Sequence, residues 1–196
     1  MIEIGALRIK YGFVALLAAG FFFDSSGLMI YSLAAAILHE IGHYGALRLT
    51  GGSAFKLELS LTGGVVSTDY PQENTAAQLF MLLAGPAANL FLALGCGYAG
   101  NFTGSSGLSA FAGINFVLGT FNLLPALPLD GGQALSCLLL RLFGEKRARA
   151  AVAAISAFIA ALLTVAGAIV LFNTGYNLTL LAAAALIFVG VVREGE

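Results

Sequence analysis

Charge is what this chain has least of. Asp, Glu, Lys and Arg make up 10% of its 196 residues, against roughly 25% in an average soluble domain, while 59% are apolar. Between Asn74 and Leu129 there is no charged residue, and a second uncharged stretch covers 150–192. This excludes a soluble domain and points to a polytopic membrane protein, with room for about six spans of ~20 residues and short connections. Cysteine is scarce too. Cys96 and Cys137 both fall in apolar stretches, so they read as small buried hydrophobes and no disulfide framework is expected. The net charge of -1 suggests no nucleic-acid partner. Arg8 and Lys10 precede an apolar run, but no small-residue cleavage site follows, which favours a first transmembrane helix over a removed signal.

Histidine occurs only twice, and both copies lie in one pentapeptide, His39-Glu40-Ile41-Gly42-His43. On a helix, positions i and i+4 stack on one face. His39 and His43 can therefore direct imidazole nitrogens at a single ion, the spacing that zinc proteases use. Glu40 lies one residue on, within reach of a water on the metal rather than the metal itself, and suits a general base. The plain alternative is two helix histidines making ordinary hydrogen bonds. The flanks decide against it: residues 28–38 carry no charge, and Gly45, Ala46 and Leu47 follow. Ionisable groups buried at such depth without partners are expensive, and so are functional candidates.

Taken in order, span 1 is expected over 10–23 and span 2 over 25–47, bearing the histidines. The most polar part of the chain, 48–73, comes next. Residues 55–61 alternate strictly, a strand signature. Thr62, Gly63 and Gly64 supply a turn, and 65–68 read as the return strand of a β-hairpin. Span 3 is expected over 75–99 and span 4 from 108 onward, separated by the Gly- and Ser-rich residues 100–107. Spans 5 and 6 share 150–192, broken at 173–177. All nine basic residues, Arg8, Lys10, Arg48, Lys56, Arg141, Lys146, Arg147, Arg149 and Arg193, then fall at one face. By the positive-inside rule that face is cytoplasmic, with both termini and the hairpin. Asn101 and Asn177 begin glycosylation sequons on the outer face but read as ordinary loop residues so close to a membrane.

Two histidines leave zinc short of a protein ligand, and Asp, Glu or Cys must complete the set. Asp130 is the only acid between Glu73 and Glu145, which makes it the natural third ligand. Its alternative role is N-cap of a helix over 131–143; beside His39 and His43, the ligand reading is favoured. Pro125 and Pro128 must break span 4, and unwound backbone at membrane depth is tolerated where it lines a polar cavity. Gly131 and Gly132 are expected to let the chain turn tightly there. Asn122, one turn before Pro125, is either a donor near a reacting carbonyl or an interhelical hydrogen-bonder. Asn115 reads as the latter. Residues 84–89 (Ala-Gly-Pro-Ala-Ala-Asn) form a small-residue patch for close helix packing, with Asn89 at most a hydrogen-bonding support.

These three motifs, in this order, resemble those of the site-2 proteases, intramembrane zinc metalloproteases, and most resemble the branch of stage IV sporulation protein FB. The resemblance covers 28–143. It implies one zinc ion held by His39, His43 and Asp130, Glu40 as catalytic base, and Asn122 positioning substrate or stabilising the oxyanion. It also implies a membrane-associated hairpin that guides substrate. The expected fold is an all-α membrane protein of about six transmembrane helices with that hairpin after helix 2. The chain reads as a single peptidase domain over 1–196, without a PDZ or CBS domain. Expected partners are a membrane-protein substrate, the lipid bilayer and a regulatory membrane protein. A rival reading is a member of the same fold that binds metal or membrane segments without cutting them.

Overall fold

The structure, a computed structural model, describes residues 2–4, 7–9, 18, 21–22, 24–52, 55–60, 63–68, 74–175 and 177–194. The chain divides into two compact units, Met1–Thr120 and Phe121–Glu196. Span 1, expected over 10–23, lies almost wholly outside the described residues.

In the first unit, strands β1 (Ile2–Ile4) and β2 (Leu7–Ile9) precede helix α1 (Leu28–Leu49), and strands β3 (Phe55–Ser60) and β4 (Gly63–Thr68) follow it. The sheet order is β1-β2-β3-β4. β1 and β2 are antiparallel, β2 and β3 parallel with Leu7 opposite Leu57, and β3 and β4 antiparallel with Phe55 opposite Thr68. The alternation over 55–61 thus lies on a strand. The return strand starts at Gly63 rather than at residue 65, so the two glycines are paired strand residues. The N-terminal strands had no signal in the sequence: each is three residues long, too short for a period to show.

Helix α1 begins where Asp24 gathers the chain. Its carboxylate accepts from the Ser26 amide and hydroxyl and from the Met29 amide at 2.8 Å, satisfying one of the helix's unpaired N–H groups. The Ser26 hydroxyl, and then the Met29 amide, hold the Asp24 carboxyl below the usual carboxylate range. Helices α2 (Thr75–Thr103) and α3 (Ser106–Asn122) complete the unit. Asn74 caps α2 by accepting from the Ala77 amide, and Gly104 ends it at φ 69°, a conformation glycine takes without Cβ strain. The break expected over 100–107 is therefore confined to its middle.

The second unit holds α4 (Asp130–Phe143), α5 (Glu145–Thr174) and α6 (Thr179–Glu194). Its core gathers Ala126, Leu129, Ala160 and Ile187. The proline-bearing segment between α3 and α4 is pinned from α5: Ser156 Oγ, fully buried, accepts from the Leu127 amide at 2.9 Å.

Six described helices carry most of the described chain, and two of them, α2 and α5, are long and apolar enough to cross a membrane. Their packing is inverted relative to a soluble core. Among the described residues ten of the sixteen buried apolar ones are alanine, while Phe91, Phe102 and Phe172 are exposed on α2 and α5. Small residues inside let helix backbones approach, and large apolar side chains outside suit a hydrocarbon solvent.

Candidate metal centre

His39 and His43 lie on α1, one turn apart, and are buried to 6% and 4% exposure. Their Nε2 atoms are 3.0 Å apart and their rings nearly perpendicular, at 82°. Each ring is held from behind. His39 Nδ1 lies 2.5 Å from Asn89 Oδ1, and His43 Nδ1 lies 2.8 Å from the Met81 carbonyl. Both supports belong to α2.

These contacts fix where the protons are. A main-chain carbonyl only accepts, so His43 must donate from Nδ1. The Asn89 amide nitrogen donates to the Ala35 carbonyl at 3.1 Å and to Asn115 Oδ1 at 2.8 Å, so its oxygen is the atom that faces His39. His39 must then donate from Nδ1 as well. Both Nε2 atoms then present lone pairs, 3.0 Å apart, and neither can donate to the other, which suits a shared electrophile. Two imidazoles on one tetrahedral zinc, at ~2.0–2.1 Å each, have nitrogens about 3.4 Å apart, close to the observed spacing. The donor set fits the metal.

The helix spacing that makes this possible depends on glycine. A Cβ on Gly85 of α2 would collide with His43 Nε2 and lie 2.8 Å from His39 Nε2. A Cβ on Gly42 of α1 would lie 2.8 Å from the Ala84 carbonyl oxygen and 3.1 Å from Gly85 Cα. The small-residue patch expected to pack against the metal-bearing helix does so, with Gly85 directly behind the two nitrogens. Pro86 sits within α2 and removes one of its intrahelical hydrogen bonds.

Glu40 follows His39 on α1. It is half-buried, with Oε2 shielded from solvent.

In the second unit, Asp130 is the first residue of α4 and Leu129 is the N-cap. The alternative role of Asp130 as N-cap is therefore not what the helix uses, although an acid in the first turn still suits the helix dipole. Gly131 and Gly132 correct another expectation. Neither has positive φ; both are helical, and what they provide is room. A Cβ on Gly131 would meet the Leu123 and Leu124 carbonyls, and one on Gly132 the Ala126 carbonyl. The proline-bearing segment folds directly onto the start of α4. Asn122 ends α3, half-buried.

Among described residues the first unit thus brings His39, His43 and Asn89 together, with Glu40 next to His39 on α1, and the second fixes Asp130 at a helix start. Two participants carried no readable role in the sequence. Asn115 makes the interhelical hydrogen bond expected of it, but that bond leads through Asn89 to His39. The Met81 carbonyl is main chain and leaves no mark in any residue type.

Comparison with known proteins was made on this basis. The model of peptidase family M50 matches residues 97–166. A candidate zinc metalloprotease of Synechocystis sp. is 34% identical over 119 residues, 58% of this chain and 31% of the relative. The candidate zinc metalloprotease Rip3 of Mycobacterium tuberculosis is 34% identical over 128 residues, 61% of this chain and 33% of the relative. A zinc metalloprotease of Methanocaldococcus jannaschii is 27% identical over 175 residues, 86% of this chain and 49% of its own length. The chain therefore spans 31% to 49% of the length of these relatives. Among solved structures, the site-2 protease from Methanocaldococcus jannaschii superposes with a TM-score of 0.73 at 23% identity, covering 100% of this chain and 94% of that one. The fold is shared.

Proposed function

We propose that this chain is a member of peptidase family M50, the site-2 proteases, and an intramembrane zinc endopeptidase whose metal is held by His39, His43 and Asp130. The observation that carries the reading is the pair of buried Nε2 lone pairs, both forced to face one point by hydrogen bonds to Nδ1. Asp130 supplies the third protein ligand and a charge that offsets that of the ion. A zinc ion held by this set would supply an acidified water (pKa toward ~7) and polarise the scissile carbonyl. Glu40 would act as the base that accepts the proton of the attacking water and delivers it to the leaving amine. Asn122 donates to the substrate carbonyl oxygen as charge develops there.

Embedding supports the same reading. Helices α2 and α5 have the length and apolarity of spans. The sheet adds a constraint of parity. β2 pairs with β3, so residues 7–9 and 55–60 lie on one side of any membrane. The chain between them must then cross an even number of times. That parity fits the proposed six spans, and the face shared by the nine basic residues puts both termini in the cytoplasm in this reading. The β3–β4 pair, membrane-associated in this reading, holds a locally unwound substrate segment by strand addition. A helix hides its carbonyls in hydrogen bonds, so unwinding must precede attack. The substrate is a transmembrane or membrane-associated protein.

Detergent-purified wild type should hold one zinc per chain and, co-expressed with a tagged library of single-span membrane proteins, cleave a member of it. Glu40→Gln should keep the zinc and lose the cleavage, since Glu40 acts on water and not on the ion. A variant that loses its metal would show Glu40 to be a ligand, and a wild type that binds zinc but cuts nothing would favour the non-proteolytic reading.

A further inference from the structure

We infer that Asn115 is a positioning residue for the metal pair: acting through Asn89, it determines which ring nitrogen of His39 carries the proton. The inference rests on the metal reading above. Asn115 touches neither histidine. It is fully buried on α3, and its amide nitrogen donates to the Phe111 carbonyl at 2.9 Å, so its oxygen is the atom presented to Asn89.

The Asn89 side chain could in principle sit in either of two orientations related by exchange of its oxygen and nitrogen. In the orientation present, its nitrogen donates to two acceptors, the Ala35 carbonyl and Asn115 Oδ1, and its oxygen accepts from His39 Nδ1. In the exchanged orientation its oxygen would face both of those acceptors. Its nitrogen would then donate to His39 Nδ1, moving the ring proton to Nε2 and removing the lone pair a metal needs. Two acceptor–acceptor repulsions forbid the exchange. Asn115 supplies one of them and Ala35 the other. Without Asn115, one Asn89 N–H is left buried and unpaired, and only Ala35 opposes the flip. His43 takes no part, because its proton is fixed by Met81. The two ligands of one site are thus set by separate devices.

That separation provides the test. The protein contains only two histidines, so uniform ¹⁵N labelling of histidine reports these two rings and nothing else. In zinc-free wild type both rings should appear as the Nδ1–H tautomer, the one less favoured in water. In Asn115→Leu, His39 should become a mixture of tautomers while His43 stays as it was. Zinc affinity, measured by chelator competition, should fall about 10- to 100-fold, the range found when a support behind a ligating histidine is removed. Asn115→Asp, held protonated by full burial, keeps an oxygen facing Asn89 and an O–H for the Phe111 carbonyl, and should hold both readouts near wild type. A wild-type His39 protonated on Nε2 overturns the inference. So does Asn115→Leu with an unchanged His39, or with both rings shifted together, as general loosening of the helices would produce. So does Asn115→Asp as impaired as the leucine variant. Should Asn115→Leu fail to fold, Asn115→Ala carries the same expectations. A wild type with both rings on Nδ1–H that takes up no zinc would overturn the metal reading and leave the positioning role standing.

Discussion

At the scale of single residues, a buried imidazole is defined by what lies behind it. His39 and His43 have the same spacing to the chain and opposite supports, a side-chain amide and a main-chain carbonyl. Asp130 is the residue whose role the mildest substitution can decide. Asp130→Asn keeps the side-chain shape at the first position of α4 and loses only the charge. Zinc affinity should fall by orders of magnitude, and activity with it, while the unfolding midpoint of the metal-free protein changes little. An Asp130→Asn protein that binds zinc like wild type and still cuts would remove the third ligand from the proposal. The meeting of His39 with His43 was legible in the sequence because positions i and i+4 stack on one face of a helix. The supports were not. Asn89 and Asn115 are 26 residues apart in sequence, and only the packing of α2 on α3 shows that their amides meet.

At the scale of elements, glycine separates positions of contact from positions of indifference. Gly42 and Gly45 sit three residues apart on α1. A Cβ on the first meets the backbone of α2, and a Cβ on the second meets nothing within 4 Å. Gly42→Ala should push α1 from α2 and destabilise by about 1–3 kcal/mol, with loss of zinc. Gly45→Ala should be neutral or stabilising by up to ~1 kcal/mol. Thermal unfolding with zinc titration checks both, and equal effects would contradict the close approach. The start of α1 has its own dependence on pH. The Asp24 carboxyl is held below its ordinary value of 3.8, so its stabilisation is fully present above that value and is lost as the pH falls through the lowered one. Wild type should lose stability more steeply in acid than Asp24→Asn, measured as unfolding midpoints between pH 7 and 3. The sequence placed the helices well because long uncharged runs have few alternatives. It misplaced the starts of β4 and of α4 because a glycine pair can serve as a turn, as a paired strand or as space for a neighbour, and residue type alone does not say which.

At the scale of the whole molecule, the distribution of basic residues and the pairing of β2 with β3 make the same demand by different physics. In the proposed topology one is an electrostatic bias toward the cytoplasmic side, the other a hydrogen-bonded ladder that keeps both strands on one side of a bilayer. Reporter fusions after Gly104 and after Asn177 should both report the outer face, and a fusion after Glu196 the cytoplasm. A cytoplasmic signal at Gly104 would eliminate the six-span arrangement. The close meeting of Gly42 with Gly85 also bears on design. A pentapeptide transplanted onto another helix would bring the two proposed ligands and the proposed base but not the distance to a second backbone, nor the amide and carbonyl that orient the rings. Whoever grafts this motif must carry across a pair of helices and the gap between them, because the unit that can be moved is that gap and not the five residues.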